Sequence, residues 1–469
     1  MAKRKDSRKK VKKTHIPING ETLRCAVAWA VDRQIFAHLK LHGNTGWQVV
    51  DLILLAAVWV WSESSTLTAA FVEARRWSID VLGNAAVGTY QGFLKALVRW
   101  TKSWLPLLWS HLHQLMEEQA GKHWRIGMWL ALAVDGSRIS VPRTKANEKA
   151  FCAPNFGNSR TAQYRRKKKA KGKRIRRKVK PVKPQIWVTL LWHMGLQMPW
   201  SWQTGPSYAA ERMHFLEMLR EQKFQENTLF CCDAGFTGYE LWKAIIDAGH
   251  SFLIRVGANV KLLRKLGYYI RERAGIVYCW PNEAARQGQA PLVLRHLQVK
   301  VGKCRMHLVT NVLDEEELSD AQAIQMYRLR WGIELQFRTV KQTFGRRKLR
   351  SRTPERAYVE LDWSLLGLWL IQLFTVKEQL QIGEVPANCS VALAIQVIRE
   401  TFRRWWEQPE EPFASKLQSA TKDKHKRHRP KKARYRPNYK DKPTAGKPVI
   451  QKATKWHKKR LKQHRLTAA

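Results

Sequence analysis

Acidic residues are scarce in this 469-residue chain: 37 Asp and Glu stand against 85 Lys and Arg, a net charge of +48. An imbalance of that size excludes a surface indifferent to polyanions and makes nucleic acid the default partner. Cysteine is sparse as well. The seven present (Cys25, Cys152, Cys231, Cys232, Cys279, Cys304 and Cys389) form no CxxC pair, which argues against a disulfide framework or a zinc site and suits a reducing cytosol. No apolar run reaches the roughly 20 residues that span a bilayer. Trp47–Trp61 and Leu361–Val376 are shorter and are interrupted by Asp51 and Asp362. The N-terminus, MAKRKDSRKKVKK, is basic with no apolar stretch behind it, unlike a secretory signal. A cytoplasmic, nucleoid-associated location is expected. No internal repeat is evident.

What is present fits a packed protein of two or three domains, with 44% hydrophobic residues and 22 Trp. The positive charge is concentrated. Residues 1–13, 165–183 and 422–465 hold +7, +13 and +17 of the net +48. Runs of one sign repel themselves and have little to bury, so they read as disordered arms that bind phosphate by counterion release. A merely solvated surface would mix both signs.

The patterning predicts a basic arm over 1–20 and a helical N-terminal domain over 21–125 that could face DNA. Breaks are expected at Gly43–Gly46 and Gly83–Gly88, with a stop or kink at Pro106. At residue 127 the texture turns α/β. GMWLALAVDGS reads as a buried strand ending in Asp135, followed by a basic loop at 165–183. QIWVTLLWHMGLQMPWSWQT reads as a hairpin hinged near Gly195, and 208–222 as a helix. TLFCCDAGF reads as a strand delivering Asp233. The first part of this core runs over 126–256. Residues 257–315 form a small β-rich insertion, 316–412 the second part of the core with C-terminal helices, and 413–469 a disordered basic tail.

Three carboxylates stand out: Asp135 and Asp233 at strand ends, and Glu334 inside a helix expected from Leu318 to about Gly345. Acids at strand ends lie where ligands bind α/β sheets. Hard oxygen ligands suit Mg²⁺ or Mn²⁺, and two such ions can clamp an in-line phosphoryl transfer. At about 100° per residue, Tyr327, Arg330, Glu334, Arg338 and Lys341 fall on one stripe, with Ile333, Phe337 and Val340 beside it. A carboxylate among cations calls for an anion opposite, as metal-bridged phosphate would be. The alternative is an exposed i,i+4 ion pair, Arg330–Glu334. Cys231 and Cys232 read as small hydrophobes of a buried strand. His193, His214 and His307 lack ligand spacing and read as core or surface residues.

The spacing Tyr327-(2)-Arg330-(3)-Glu334-(6)-Lys341 resembles the signature of the insertion-sequence-four family of DDE transposases. So do Asp135-Gly136-Ser137 with Pro142, Asn147 and Asn155-Phe156-Gly157. Cys232-Asp233-Ala234-Gly235-Phe236 with Phe252–Arg255 is similar to the family's second motif. The resemblance covers roughly residues 127–376. It implies an RNase H-like catalytic core with a β-rich insertion before the last catalytic helix, flanked by the helical N-terminal domain and basic tails. It implies two Mg²⁺ or Mn²⁺ ions held by Asp135, Asp233 and Glu334. Tyr327, Arg330 and Lys341 are implied contacts to double-stranded DNA at the element's ends, and Arg338 on the same stripe joins them as an expected DNA contact. Cleavage at the ends followed by strand transfer into target DNA, by a homodimer bridging two ends, is the implied activity. Trp280 and Trp331 are candidates to hold a flipped base. Rival readings are a nuclease or resolvase of the same fold without strand transfer, a non-catalytic DNA-binding derivative, and an RNA-binding protein with basic tails. The basic block at 165–183 enlarges the segment between the two aspartates relative to the family pattern.

Overall fold

Unbroken apolar runs such as Leu130–Val134, Thr228–Cys232 and Phe252–Ile254 leave no polar face to turn to water, so their strands are covered on both sides. The computed structural model describes residues 16–39, 47–83, 87–153, 183–301, 304–423 and 446–468, with Lys167 and Gly172 of the basic block. The arm over 1–15, Asn155–Gly157 and nearly all of 165–183 lie outside the described residues.

Ten strands make one sheet: β1 (Leu130–Ser140), β2 (Gln185–His193), β3 (Met198–Pro206), β4 (Thr228–Cys232), β5 (Ser251–Val256), β6 (Lys261–Arg264), β7 (Ile276–Cys279), β8 (Leu292–Val301), β9 (Cys304–Thr310) and β10 (Val449–Lys452). Their order across the sheet is β10-β6-β7-β8-β9-β5-β4-β1-β2-β3. The hairpin β2–β3 pairs as the sequence predicts and flanks β1 antiparallel. On its other side β1 runs parallel to β4, and β4 parallel to β5.

Two expectations change here. β1 does not end at Asp135. Its parallel pairing with β4 stops at Val134↔Cys232, but antiparallel pairing with β2 carries it on to Ser140. The β-rich segment is not a separate small unit either. β9 pairs with β5, so β6–β9 extend the same sheet and cover what would be an open strand edge.

The long apolar helix Pro354–Gln381 is the hub of the helical layer. It has the length and hydropathy to cross a membrane, yet its most apolar window is fully buried inside the fold. Helices Val49–Trp61, Tyr90–Ala120, Val391–Arg403 and Phe413–Gln418 pack on it. Trp61 Nε1 donates to Gly367 O at 2.9 Å, Trp363 Nε1 to Thr101 Oγ1 at 2.9 Å, and Trp202 Nε1 of β3 to Asp362 at 2.9 Å. The N-terminal helices therefore share one hydrophobic core with the helix that follows Glu334. Pro106 does not stop its helix, which runs through it from Tyr90 to Ala120, with Leu105 and Leu108 buried on either side.

Two described stretches of the expected disordered tail depart from expectation, residues 424–445 lying outside the described residues. Residues 413–418 are helical, and 446–468 form β10, parallel to β6, and a terminal helix Lys455–Ala468. Charge alone predicts an unfolded arm, but Leu461 and His457 give this stretch something to bury.

Gly367 sits where the Val49–Trp61 helix crosses, and a Cβ there would lie 2.6 Å from Val60 Cγ2 and 3.2 Å from Trp61 Nε1. Gly367→Ala is expected to cost about 1–3 kcal/mol through overpacking, read as a lower urea midpoint at unchanged m-value. An unchanged midpoint would contradict this contact.

Candidate active site

The parallel pairing of β1 and β4 decides where the first two acids meet. Val134↔Cys232 is the last register pair, and Asp135 and Asp233 follow it directly on neighbouring strands. Asp135 Oδ1 accepts from Gly136 N at 2.8 Å, and Asp233 Oδ1 accepts from Gly235 N at 2.7 Å at the start of a short 3-10 turn. Burial, then the charge of Asp233, pushes the Asp135 carboxyl up to about 6, with Glu334 adding to the push and Arg330 opposing it.

The third element is less regular than the single helix the periodicity predicts. Ser319 caps a helix Asp320–Leu329 through a capping box. A second helix, Trp331–Arg338, follows at Arg330 and runs into a π-helical turn Thr339–Thr343. Gly332 allows this element to lie against Trp192 of β2, where any Cβ would collide with the indole. The unwinding alters the simple 100° stripe, yet most of the expected side chains still converge. Arg330 is buried, with its Nη2 2.9 Å from Glu334 Oε1 and Nη1 4.0 Å from Asp135 Oδ2, and its guanidinium lies 5.4 Å from the centre of the Tyr327 ring. The alternative i,i+4 ion pair is thus formed, but inside the site. Lys341 Nζ donates to Ser137 Oγ at 2.6 Å, and burial pulls its ammonium below the usual range. Burial pushes the Tyr327 phenol up to about 12. Arg338 does not join them: it is exposed and, among the described residues, paired with none of these acids.

Sequence reasoning missed Glu211. It opens the helix Glu211–Glu221 after β3, and its carboxylate lies between the two aspartate-bearing segments. A Cβ at Gly136 would be 2.7 Å from Glu211 Oε2, and one at Gly235 would be 2.6 Å from Glu211 Oε1. Burial, then Asp233 and Asp135, pushes this carboxyl up to about 7. The available signal was an acid in a first helical turn, and such acids are common because the helix dipole favours them.

Other expected residues have structural partners. Asn147 Nδ2 donates to Pro142 O at 3.0 Å and to Ser351 O at 3.3 Å. His193 stacks on Trp124, His214 Nδ1 is 3.1 Å from Thr189 Oγ1, and His307 Nδ1 is 3.0 Å from His296 Nε2. Cys231 and Cys232 are buried in β4. Trp280 is buried, with Nε1 donating to Gln289 O at 2.8 Å, whereas Trp331 is 57% exposed. Among the described residues, no group of three or more His, Cys, Asp or Glu side chains is arranged to hold a metal ion.

The chain matches the model of the transposase DDE domain over residues 130–370. It is 32% identical over 171 residues to the transposase InsG for insertion sequence element IS4 of Escherichia coli (strain K12), covering 34% of this chain. The match spans 38% of the length of that relative. A cryo-EM structure of the piggyBac transposase synaptic complex with hairpin DNA is similar at a TM-score of 0.40 and 12% identity, over 86% of this chain and 84% of that one.

Both shifted carboxyls bind protons more tightly in the folded protein than in the unfolded chain, where values near 4 apply. Their contribution is therefore fully favourable below about pH 4 and is lost as pH rises through about 6 for Asp135 and about 7 for Glu211. Metal-free protein is expected to lose stability over that window. Glu211→Gln should flatten the loss and raise stability at pH 8 by about 1–2 kcal/mol after allowance for solvent screening. Urea unfolding from pH 4 to 8 tests this, and parallel curves for variant and wild type would count against it.

Proposed function

The chain belongs to the family defined by the transposase DDE domain, and from that premise we propose that it cleaves double-stranded DNA at the ends of an insertion sequence of the insertion-sequence-four type and joins them to target DNA. The observation that carries the proposal is the convergence of Asp135, from β1, with Arg330 and Glu334, from the helical element after the insertion, beside Asp233 at the end of β4. The order β3-β2-β1-β4-β5, antiparallel and then parallel, supports an RNase H-like core.

In donor type the acids suit a hard divalent ion, though among the described residues they are not arranged as a three-ligand group, and Glu334 would have to exchange its pairing with Arg330 for the metal. The acids are carboxylates, and burial, with their mutual repulsion added, raises Asp135 to about 6 and Glu211 to about 7. Asp135, Asp233 and Glu334 are the residues that would hold Mg²⁺ or Mn²⁺. Two such ions, when bound, supply Lewis-acid stabilisation of the attacking and leaving oxygens. The chain's own cations orient the DNA. Arg330 has Nε and Nη1 buried without a hydrogen-bond partner, so its charge is only partly satisfied inside the protein and is available to offset an anion at the acids. Lys341, held by Ser137, adds a second positive group on the same side as Asp135. Tyr327 packs under the guanidinium and fixes its plane.

In the first step a water oxygen bonds to the phosphorus at the element's end, and the bond to the 3′ oxygen breaks, leaving a free 3′-OH. In the second step that 3′ oxygen bonds to a phosphorus of the target strand, whose own 3′ oxygen leaves. Of the two candidate base-stacking residues, Trp331 is exposed one residue after Arg330 and is the one this reading retains, since Trp280 is buried with its Nε1 bonded to Gln289 O. A pair of subunits bridging two ends completes the proposal.

The test is cleavage and joining of duplex DNA carrying the element's own ends, with Mg²⁺, by wild type, Asp135→Asn and Glu334→Gln. Loss of about 100-fold or more in cleavage by each variant, with DNA binding kept, is expected. A free 3′-OH that joins to target DNA separates a transposase from a nuclease. Tight, salt-sensitive binding with no cutting by wild type would favour the non-catalytic DNA binder.

A further inference from the structure

The C-terminal segment 446–468 carries eight Lys and Arg and no acid, yet it is ordered and fixed to the far edge of the sheet. Val449–Lys452 pair with Lys261–Arg264 along the whole of β6. Val449 N donates to Val260 O and Ala453 N to Arg264 O, each at 2.9 Å, so the strand is tied at both ends. Thr454 then starts the helix, its Oγ1 2.7 Å from His457 Nδ1 and its carbonyl accepting from Lys458 N at 3.1 Å.

The helix has two faces. Taking Lys455 as zero and 100° per residue, His457, Leu461 and His464 lie near 200°, 240° and 180°. His457 and Leu461 are buried, and His464 is half-buried beside Tyr268. Lys455, Lys458, Lys459 and Lys462 fall between about −60° and +40°, and all four are exposed. Like charges at this spacing destabilise a helix by a few tenths of a kcal/mol per pair, so the row is a cost unless an anion meets it. The neighbouring β6 adds exposed Lys261 and Arg264. The nearby Glu272 is engaged by the backbone N–H groups of Lys265 and Gly267, at 2.6 and 3.0 Å.

We propose that this docked strand and helix form a fixed second DNA contact, in which Lys455, Lys458, Lys459 and Lys462 grip the phosphate backbone of a duplex away from the acidic site. The choice of DNA as occupant rests on the transposase reading; the polyanion itself is called for by the charge. Six strand spacings separate β10 from β4, roughly 29 Å at about 4.8 Å each.

The experiment compares full-length wild type with a variant in which the four lysines become Gln, and with a second in which they become Arg. Binding to an end-bearing duplex is measured between 50 and 200 mM salt, with far-UV circular dichroism and melting as folding controls. The Gln variant is expected to reduce the slope of log K against log salt by about 3 to 4, at roughly 0.9 per phosphate contact. It should also lose hydroxyl-radical protection of the duplex backbone at a site separate from the cleaved end. The Arg variant should keep both. An unchanged slope and footprint in the folded Gln variant would overturn the proposal, as would a slope change seen with single-stranded RNA of equal length but not with the duplex. Binding is read without cleavage, so a catalytically silent wild type would sink the transposase reading while leaving this contact measurable. Normal cleavage with an unchanged slope would do the reverse.

Discussion

Carboxylates cannot be crowded together out of water unless a positive group is buried with them, and in the described site Arg330 is that group. Its guanidinium links the strand that carries Asp135 to the helix that carries Glu334, so the geometry of the acids depends on it. Burial works against its charge, but Tyr327, Glu334 and Asp135 outweigh that penalty and hold it above the usual value. A buried ion pair of this kind adds little net stability by itself, because desolvation offsets attraction, whereas removing one partner strands the other. What it fixes is position. Nε and Nη1 lack hydrogen-bond partners, Nη1 having only its longer ion pair with Asp135, so the guanidinium is incompletely satisfied by protein groups, which is unusual for a buried charge.

The rest of the architecture serves to hold that arrangement against strain. β1 is gripped on both sides, by β2 and β4, so Asp135 cannot drift. The Arg330–Glu334 element is pressed onto β2 by Gly332 against Trp192, and behind it the Pro354–Gln381 helix ties sheet and N-terminal helices into one core. Along the sheet the electrostatics change sign. Carboxylates collect around β1 and β4, toward the β3 side of the sheet, while the opposite edge at β6 and β10 carries exposed lysine and arginine. The proposed second contact would use this division, with a polyanion favoured at the edge and opposed at the acids except where Arg330 and Lys341 stand.

Much of this fold can be read in the residues. The strands at Leu130, Gln185, Met198, Thr228 and Ser251 and the helices between them follow apolar runs and turn signals closely, because burial is what those patterns report. The extents that escape are those set by pairing. Asp135 looks like a strand end because the apolar run stops there, but β2 supplies partners as far as Ser140. Pro106 looks like a stop because the local rule ignores the packing that carries the helix through it. The C-terminal strand and helix look disordered because charge dominates the window, and the few residues that anchor them, His457 and Leu461, are spaced too sparsely to register.

The site divides in the same way. Asp135, Asp233, Tyr327, Arg330, Glu334 and Lys341 stand out because each sits beside residues of the opposite character: an acid after an apolar strand, or cations around an acid. Arg338 shares their helical angle but not their position. The turn at Arg330 and the π-helical Thr339–Thr343 change the rotation per residue that the stripe assumes. Glu211 breaks no local rule, since an acid in a first helical turn is favourable by itself. Its closeness to Gly136 and Gly235 comes from tertiary structure, through the helix after β3 lying over the ends of β1 and β4. Residues in local conflict are therefore visible in one dimension. Those whose conflict is created by folding, such as a carboxylate brought against two others, require the third.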